Sequence, residues 1–343
     1  MKKYLLFPMI ALFLLTMALS EGCKKSKDSP EVITNLPGTM MTLSSISYAA
    51  EGLSASMIKD SITILLADQT LTTGGDWGLV WGPGISANNE NLVYVAKSAT
   101  TLSYAIVIRG TNIHSIGDLI EDVNVFTLVS FPYGKAGDSV SAGAMDGLAN
   151  LLGTSDPVTG DNLETYLNSI ATGAKPTLYI TGHSLGGALS SLVTYWLITH
   201  DQLKDKFVFS TFTFAAPGFV NESFRDNLIS SLPSGATYTM KVNSLDMIPY
   251  AYADLQGIIT NSIPVHVPLL YRVIITVASD SLQGRGIHYF NVKSADAIGN
   301  IPIGTTGPGG ISPSDTILWY DYWLGVEHSS DNYLKLLGAQ PLK

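Results

Sequence analysis

The stretch Thr177-Leu-Tyr-Ile-Thr-Gly-His-Ser-Leu-Gly-Gly-Ala188 decides the fold of this chain. Its first five residues are apolar, β-branched or aromatic, the composition of a short strand buried on both faces. From Leu185 onward the apolar residues Leu185, Leu189, Leu192 and Trp196 recur at helical spacing, which predicts a helix running to His200. Between them lies Gly182-His-Ser-Leu-Gly186, a G-x-S-x-G turn. A strand that passes straight into a helix forces the serine at its crest into a strained conformation. The residues two before and two after must then be small, because strand and helix nearly touch. Gly182, Gly186 and Gly187 supply that room. The five letters alone are an easy chance pattern in a Gly- and Ser-rich chain; the strand before and helix after make them an elbow that presents Ser184 as a candidate nucleophile.

A serine hydroxyl must lose its proton as it attacks, so it needs a base, and histidine is the usual one. Six histidines are available: His114, His183, His200, His266, His288 and His328. Elbow enzymes run in the order serine, acid, histidine, which removes His114 and His183. His200 ends the helix that starts at the elbow and points away. His328 lies in Val326-Glu-His-Ser-Ser-Asp-Asn-Tyr333, expected to be a loop before a final helix that Ser329 or Ser330 caps, with Tyr333, Leu334 and Leu337 on one face. It leads the candidates. His288, in the alternating strand-like run Gly286 to Val292, and His266 stand behind it.

The orienting acid is expected at the carboxyl end of a strand, where catalytic groups gather in open α/β sheets. Asp246 fits, directly after the strand-like run Tyr238-Thr-Met-Lys-Val242 and before Met247-Ile-Pro249. Spacing alone leaves Asp254, Asp280 and Asp321 open. For a developing oxyanion, the backbone N–H of Leu185 is one expected donor. The second should come from an earlier strand-to-loop junction, and Ser103-Tyr-Ala-Ile-Val-Ile108 ends in Arg109-Gly-Thr111.

Taken together, Ile108-Arg-Gly-Thr111, Thr181-Gly-His-Ser-Leu-Gly-Gly-Ala188, Phe212-Thr-Phe-Ala-Ala-Pro217 with Asn221, Asn243 to Pro249, and His328 followed by Tyr333 resemble the class 3 lipases. These are the fungal-type triacylglycerol lipase group of the α/β-hydrolase superfamily, and the matches run in the family's order over about residues 104 to 337. The resemblance implies an α/β-hydrolase fold, a mostly parallel central sheet flanked by helices. It implies Ser184 as nucleophile, Asp246 and His328 as its partners, Thr111 with Leu185 as the oxyanion hole, and no metal or cofactor. There are departures. Gly218 stands where the family commonly has arginine, a V-H-x-G-F element survives only as Val140-Ser-Ala-Gly-Ala144, and the interval from Asp246 to His328 is long enough to imply an insertion. In such lipases a short amphipathic helix after the oxyanion threonine covers the serine. Here Ile113, Ile116, Leu119, Ile120 and Val123 share one helical face of 113–123, opposite Asp118, Glu121 and Asp122, a pattern that fits a mobile lid and a fixed surface helix equally.

At the amino end, Lys2 and Lys3 precede an almost unbroken apolar run from Tyr4 to Leu19, then Ser20-Glu-Gly-Cys23. The run is short for a spanning helix and reads as an export signal over 1–22. Cys23, the only cysteine, resembles the lipid-modified cysteine of bacterial lipoproteins. A lipidated tether is expected over 23–38, with a single domain over 39–343 displayed at the bacterial cell envelope. With that cysteine used, no intrachain disulfide is available, and stability must come from the core. A 46% hydrophobic composition permits one. The formal net charge of −9 argues against nucleic acid as partner.

Further elements are legible. A helical entry over 40–70 carries the stripe Ile58, Ile62, Leu65 and Leu66. Trp77 to Trp81 and Asn91 to Ala96 suggest edge strands. The apolar, β-branched run Ile263 to Ala278, broken early by Pro264 and Pro268, suggests a strand from Leu269 onward. The expected activity is hydrolysis of carboxylic esters, acylglycerols first. A phospholipase A1 or a feruloyl-type esterase would keep the same chemistry with another cleft. A noncatalytic surface-binding lipoprotein is the alternative from a different class.

Overall fold

The chain enters the fold as two helices, α1 (Leu36–Ile46) and α2 (Ala55–Leu66). Asn35 caps the first by accepting the Gly38 N–H at 3.1 Å, with Pro37 in its opening turn. The tether boundary expected at residue 38 therefore falls inside a helix. A computed structural model describes residues 34–87, 89–110, 124–171, 173–260, 267–301 and 316–342, all in one compact unit, Ile33–Lys343. The expected export signal, Cys23, Thr111, the 113–123 segment and His266 lie outside the described residues.

Strands β1 (Trp77–Ile85), β2 (Leu92–Ser98) and β3 (Ser103–Ile108) follow, then a small pair, β4 (Leu128–Ser130) and β5 (Ser139–Ser141), and helices α3 (Ala142–Leu152) and α4 (Leu163–Ile170). Next come β6 (Thr177–His183), α5 (Leu185–Thr199), β7 (Val208–Phe214), α6 (Glu222–Ser230) and β8 (Thr237–Val242). Beyond a 3₁₀ turn at Ile248–Tyr250 lie α7 (Leu255–Thr260), α8 (Leu269–Gly284), β9 (Asp296–Ala297), α9 (Thr316–His328) and α10 (Ser330–Leu336).

The main sheet has seven strands in the order β1-β2-β3-β6-β7-β8-β9. The pairs β1–β2 and β2–β3 are antiparallel, and every pair from β3 to β9 is parallel. Parallel strands must be covered on both faces, and the alternation along β2 and β3 shows how. Leu92, Tyr94, Ala96, Ala105 and Val107 pack with Met40, Met41, Ile46, Ile58 and Ile62 of the entry helices. Val93, Val95, Ile106 and Ile108 pack with Leu189, Leu192, Val193 and Trp196 of α5 on the other side.

Four expectations need correction. The run Asn91 to Ala96 is interior, since β2 lies between β1 and β3; of these two expected edge strands β1 alone stands at an edge, and register shifts flank Trp81 there. Second, the burial of α5 is not confined to the apolar recurrence of Leu185, Leu189, Leu192 and Trp196 but runs from Gly186 to Ile198. Its polar residues are satisfied inward: the Ser190 hydroxyl donates to Gly186 O at 2.7 Å, and Thr194 bonds both Ser190 O and the Thr211 hydroxyl at 2.7 Å. Third, the β-branched run from Leu269 is helix α8, because Tyr271, Ile275, Ala278, Ser279 and Leu282 bury one helical face. Packing of that face overrides the β propensity of Val273-Ile-Ile-Thr-Val277, and Pro268 stands at its N-cap. Fourth, Gly286 to Val292 alternates in burial but forms no strand, only an isolated bridge between Phe290 and Val220. None of the described helices is long and apolar enough to cross a membrane.

The turn between β6 and α5 is the tightest place in the fold. A Cβ on Gly186 would lie 2.3 Å from the Ile108 carbonyl oxygen, and one on Gly182 would lie 2.3 Å from the Gly186 carbonyl. Backbone cannot step aside as a side-chain tip can. Gly186→Ala is expected to cost about 3 kcal/mol or more of unfolding free energy, through overpacking against main chain. Gly325→Ala, exposed in α9 with nothing near its Cβ, is expected to be neutral or to stabilise by about 0.5 kcal/mol. Urea denaturation of both variants checks the contrast; equal midpoints would show that the close approach does not limit the turn.

Candidate active site

Ser184 sits at the crest of the elbow with φ 59° and ψ −131°, a backbone state that few residues other than glycine adopt. Its backbone is held on two sides. The Ser184 N–H donates to Phe214 O at the end of β7 at 2.9 Å, and its carbonyl accepts from Gly187 N at 2.9 Å. Both bonds fix the hydroxyl above the carboxyl ends of the parallel strands, the position expected for a catalytic group in such a sheet.

His328 reaches this hydroxyl from the far end of the sequence. It ends α9 rather than lying in a loop, and the next residue, Ser329, caps α10 by accepting the Asn332 N–H at 3.1 Å. The change of direction between the two helices aims the imidazole at the elbow. His328 Nε2 lies 2.8 Å from Ser184 Oγ, and Nδ1 lies 2.8 Å from Asp246 Oδ2. A carboxylate only accepts, so Nδ1 carries the proton and Nε2 offers its lone pair to the serine O–H. That tautomer is the one a general base needs.

Asp246 stands in the loop after β8, fully buried. Besides the histidine it receives the Tyr333 O–H at Oδ2 (2.8 Å) and the Ile248 N–H at Oδ1 (2.9 Å). Three donors converging on a carboxyl are what burial of such a group demands. Tyr333 also accepts the Asn243 N–H at 3.0 Å, tying α10 to the start of the same loop. Burial and the neighbouring Asp246 push the Tyr333 phenol well above the ordinary tyrosine range, so it remains a donor.

His183 forms the wall of the site. Its ring centroid is 4.8 Å from that of His328 and 5.3 Å from that of Tyr333, and its Nδ1 is 3.1 Å from the Tyr48 hydroxyl. Burial, followed by the nearby His328, holds its imidazole well below the usual range, hence neutral. An uncharged ring here limits where His328 can swing without competing for the Asp246 charge.

Leu185 opens α5, so its N–H has no carbonyl within the helix to bond, and among the described residues no other acceptor takes it. The loop leaving β3 passes close by: a Cβ on Gly110 would lie 3.1 Å from Ser184 Cβ. Thr111 follows, outside the described residues.

The remaining candidates are placed elsewhere. His288 is exposed, and His200 lies 3.3 Å from Glu164 at the end of α5. Asp254 accepts the Gly257 N–H at 2.9 Å, Asp321 accepts the Tyr271 hydroxyl at 2.5 Å, and Asp280 is exposed on α8. Sequence reasoning gave Tyr333 and Asn243 no role of their own, and it passed over Glu327, whose only signal was its place beside His328.

A family model described as Lipase (class 3) matches residues 105–255, a span that holds Ser184, Leu185 and Asp246 and stops before His328. Among solved structures the chain is similar to M37 lipase, with 27% identity and a TM-score of 0.75 over 88% of this chain and 93% of that one. The lipase of Rhizomucor miehei in its propeptide complex aligns with 22% identity and a TM-score of 0.47, covering 63% of this chain and 62% of that one. The lipase of Rhizopus microsporus var. chinensis gives 18% identity and a TM-score of 0.48, covering 63% and 67%. No curated protein matches the chain.

Proposed function

We infer that this chain, a lipase-type carboxylic ester hydrolase with an α/β-hydrolase fold, acts on acylglycerols through Ser184, His328 and Asp246. The observation that carries the reading is the continuous hydrogen-bonded line from Asp246 Oδ2 through His328 to Ser184 Oγ, 2.8 Å at each step, ending at the crest of the elbow.

In the proposed reaction, His328 Nε2 takes the hydroxyl proton as Ser184 Oγ attacks the ester carbonyl. Negative charge then grows on the carbonyl oxygen, where the Leu185 N–H, together with Thr111, would receive it. Asp246 holds the imidazole in its Nδ1–H tautomer and stabilises the imidazolium formed. When the tetrahedral species collapses, His328 returns the proton to the departing alkoxide, which leaves as the alcohol, and an acyl-Ser184 remains. Water then attacks the acyl carbon as His328 takes its proton, and the acyl–Oγ bond breaks with that proton passing from His328 to Ser184 Oγ, which releases the acid and restores Ser184. No step calls for a metal or cofactor.

The substrate reading rests on the lipase likeness together with the amphipathic run 113–123 that follows Thr111 in the sequence. Export through the 1–22 signal and anchoring by lipid on Cys23 would place the site at a membrane of the cell envelope, where acylglycerols collect. The test is hydrolysis of short- and long-chain p-nitrophenyl and glycerol esters, below and above the solubility limit of each. Turnover of long-chain glycerides that rises once substrate forms an interface is the expected result. Activity confined to dissolved short esters would replace the acylglycerol reading with that of an esterase, and no turnover of any ester would leave a binding protein.

A further inference from the structure

Glu327 is a buried carboxyl that the reaction above does not use. It precedes His328 in α9 and is fully inaccessible to solvent. One oxygen, Oε2, accepts the side-chain amides of Asn243 at 2.7 Å and Asn332 at 3.0 Å. The other, Oε1, is buried without a hydrogen-bond partner among the described residues. Asn243 gives its second amide proton to the Glu327 carbonyl at 2.9 Å, and its backbone N–H goes to Tyr333, which in turn donates to Asp246. Glu327 thereby closes a ring joining the loop that carries Asp246, the helix that carries His328, and α10.

An ionised carboxylate in a dry interior needs donors on both oxygens or a cation beside it. Here, among the described residues, one oxygen has neither. Among the described residues, the titratable groups that act on it are Asp246 on the loop and Tyr333 on α10, with His328 next to it in the chain, and the Asp246 carboxyl is set among donors to both of its oxygens. A second anion would face the first across the site. A carboxylic acid protonated on Oε1 keeps both amide bonds to Oε2 and carries no charge. Burial pushes the Glu327 carboxyl above the usual range and the Asp246 charge adds to this, opposed by the two amides.

We propose that Glu327 is a positioning residue: a neutral carboxylic acid that clasps the Asp246 loop to the His328 helix and leaves the site with a single negative charge. The inference rests on the reading of Ser184, Asp246 and His328 as the reacting groups.

Glu327→Gln and Glu327→Ala test it, compared with wild type by the pH dependence of kcat/KM, by kcat and KM separately, and by infrared spectroscopy in the carbonyl region of protonated carboxylic acids. Glutamine copies the neutral acid, so kcat/KM is expected to stay within about threefold, with the acidic limb of the profile unmoved. Removing a real negative charge beside His328 would lower the pH of that limb by about one unit. Glu327→Ala is expected to lower kcat about thirtyfold at little changed KM, because the histidine loses its fixed orientation. The acid carbonyl band should be present in wild type and missing in Glu327→Gln. A downward shift of the limb in Glu327→Gln, an absent band in wild type, or an unchanged kcat in Glu327→Ala would each overturn the proposal. The band is read without turnover, so a failure of the triad reading, seen as a wild type inert toward esters, is distinguishable from a failure here.

Discussion

Ser184→Ala is expected to lower kcat for ester hydrolysis by about 10⁵- to 10⁶-fold with KM little changed, since the nucleophile and its proton are lost while the substrate cleft stays intact. That corresponds to roughly 7–8 kcal/mol of barrier. Alanine keeps the Cβ already accommodated at φ 59°, so no new backbone conflict arises at the crest. The main-chain bonds to Phe214 and Gly187 do not involve the hydroxyl and persist. In the proposed reaction Ser184 and His328 act as one unit, so the double variant Ser184→Ala/His328→Ala should be no slower than either single one. Steady-state hydrolysis of a soluble p-nitrophenyl ester measures both. More than about 1% residual activity in Ser184→Ala would remove the serine from the mechanism, because a lost nucleophile cannot cost so little.

Asp246→Asn ranks second, at about 10⁴-fold in kcat. All three neighbours of this carboxyl donate to it: His328 Nδ1 and Tyr333 at Oδ2, Ile248 N at Oδ1. An amide offers only one oxygen, so either orientation sets an NH₂ against a donor. Turned toward Ile248, the oxygen leaves the NH₂ facing the imidazole, which then presents a lone pair at Nδ1 and carries its proton at Nε2. That tautomer cannot take the serine proton. Thermal unfolding measured beside the kinetics separates this effect from a collapsed loop. A loss smaller than about tenfold with the fold intact would mean that Asp246 does not orient the base.

The elbow was legible because its motif is contiguous: a Cβ at 182 would meet the main chain of Gly186 and Gly187, neighbours in sequence, whereas one at 186 would meet the Ile108–Gly110 main chain, which only the fold brings there. Chain order directed attention to Asp246 and His328, and their meeting with Ser184 is a matter of geometry that only the fold supplies. What could not be read was the clasp around them. Asn243, Glu327 and Asn332 come from three elements, and no spacing rule joins them. Glu327 is an ordinary charged letter until its burial is known. The error at α8 has a different origin: the β-branched run of Val273 to Val277 outweighed the helical recurrence of Tyr271, Ile275, Ala278 and Leu282, which marks the buried face. Burial of α5 on all sides was likewise hidden by Ser190, Ser191 and Thr194, whose hydroxyls are paired within the core.

His328 meets Ser184 across 144 positions of the chain, and Tyr333 meets Asp246 across 87. Pairings so distant are the slowest to form, because the entropy of closing the loop is spent before the contact repays it. Until α9 and α10 dock, the elbow has neither His328 beside Ser184 nor Tyr333 on Asp246, and in the proposed reaction it is chemically silent. Hydrolysis would therefore count only molecules in which α9 and α10 have docked onto the elbow, whereas circular dichroism would register the helices and sheet of the rest as well.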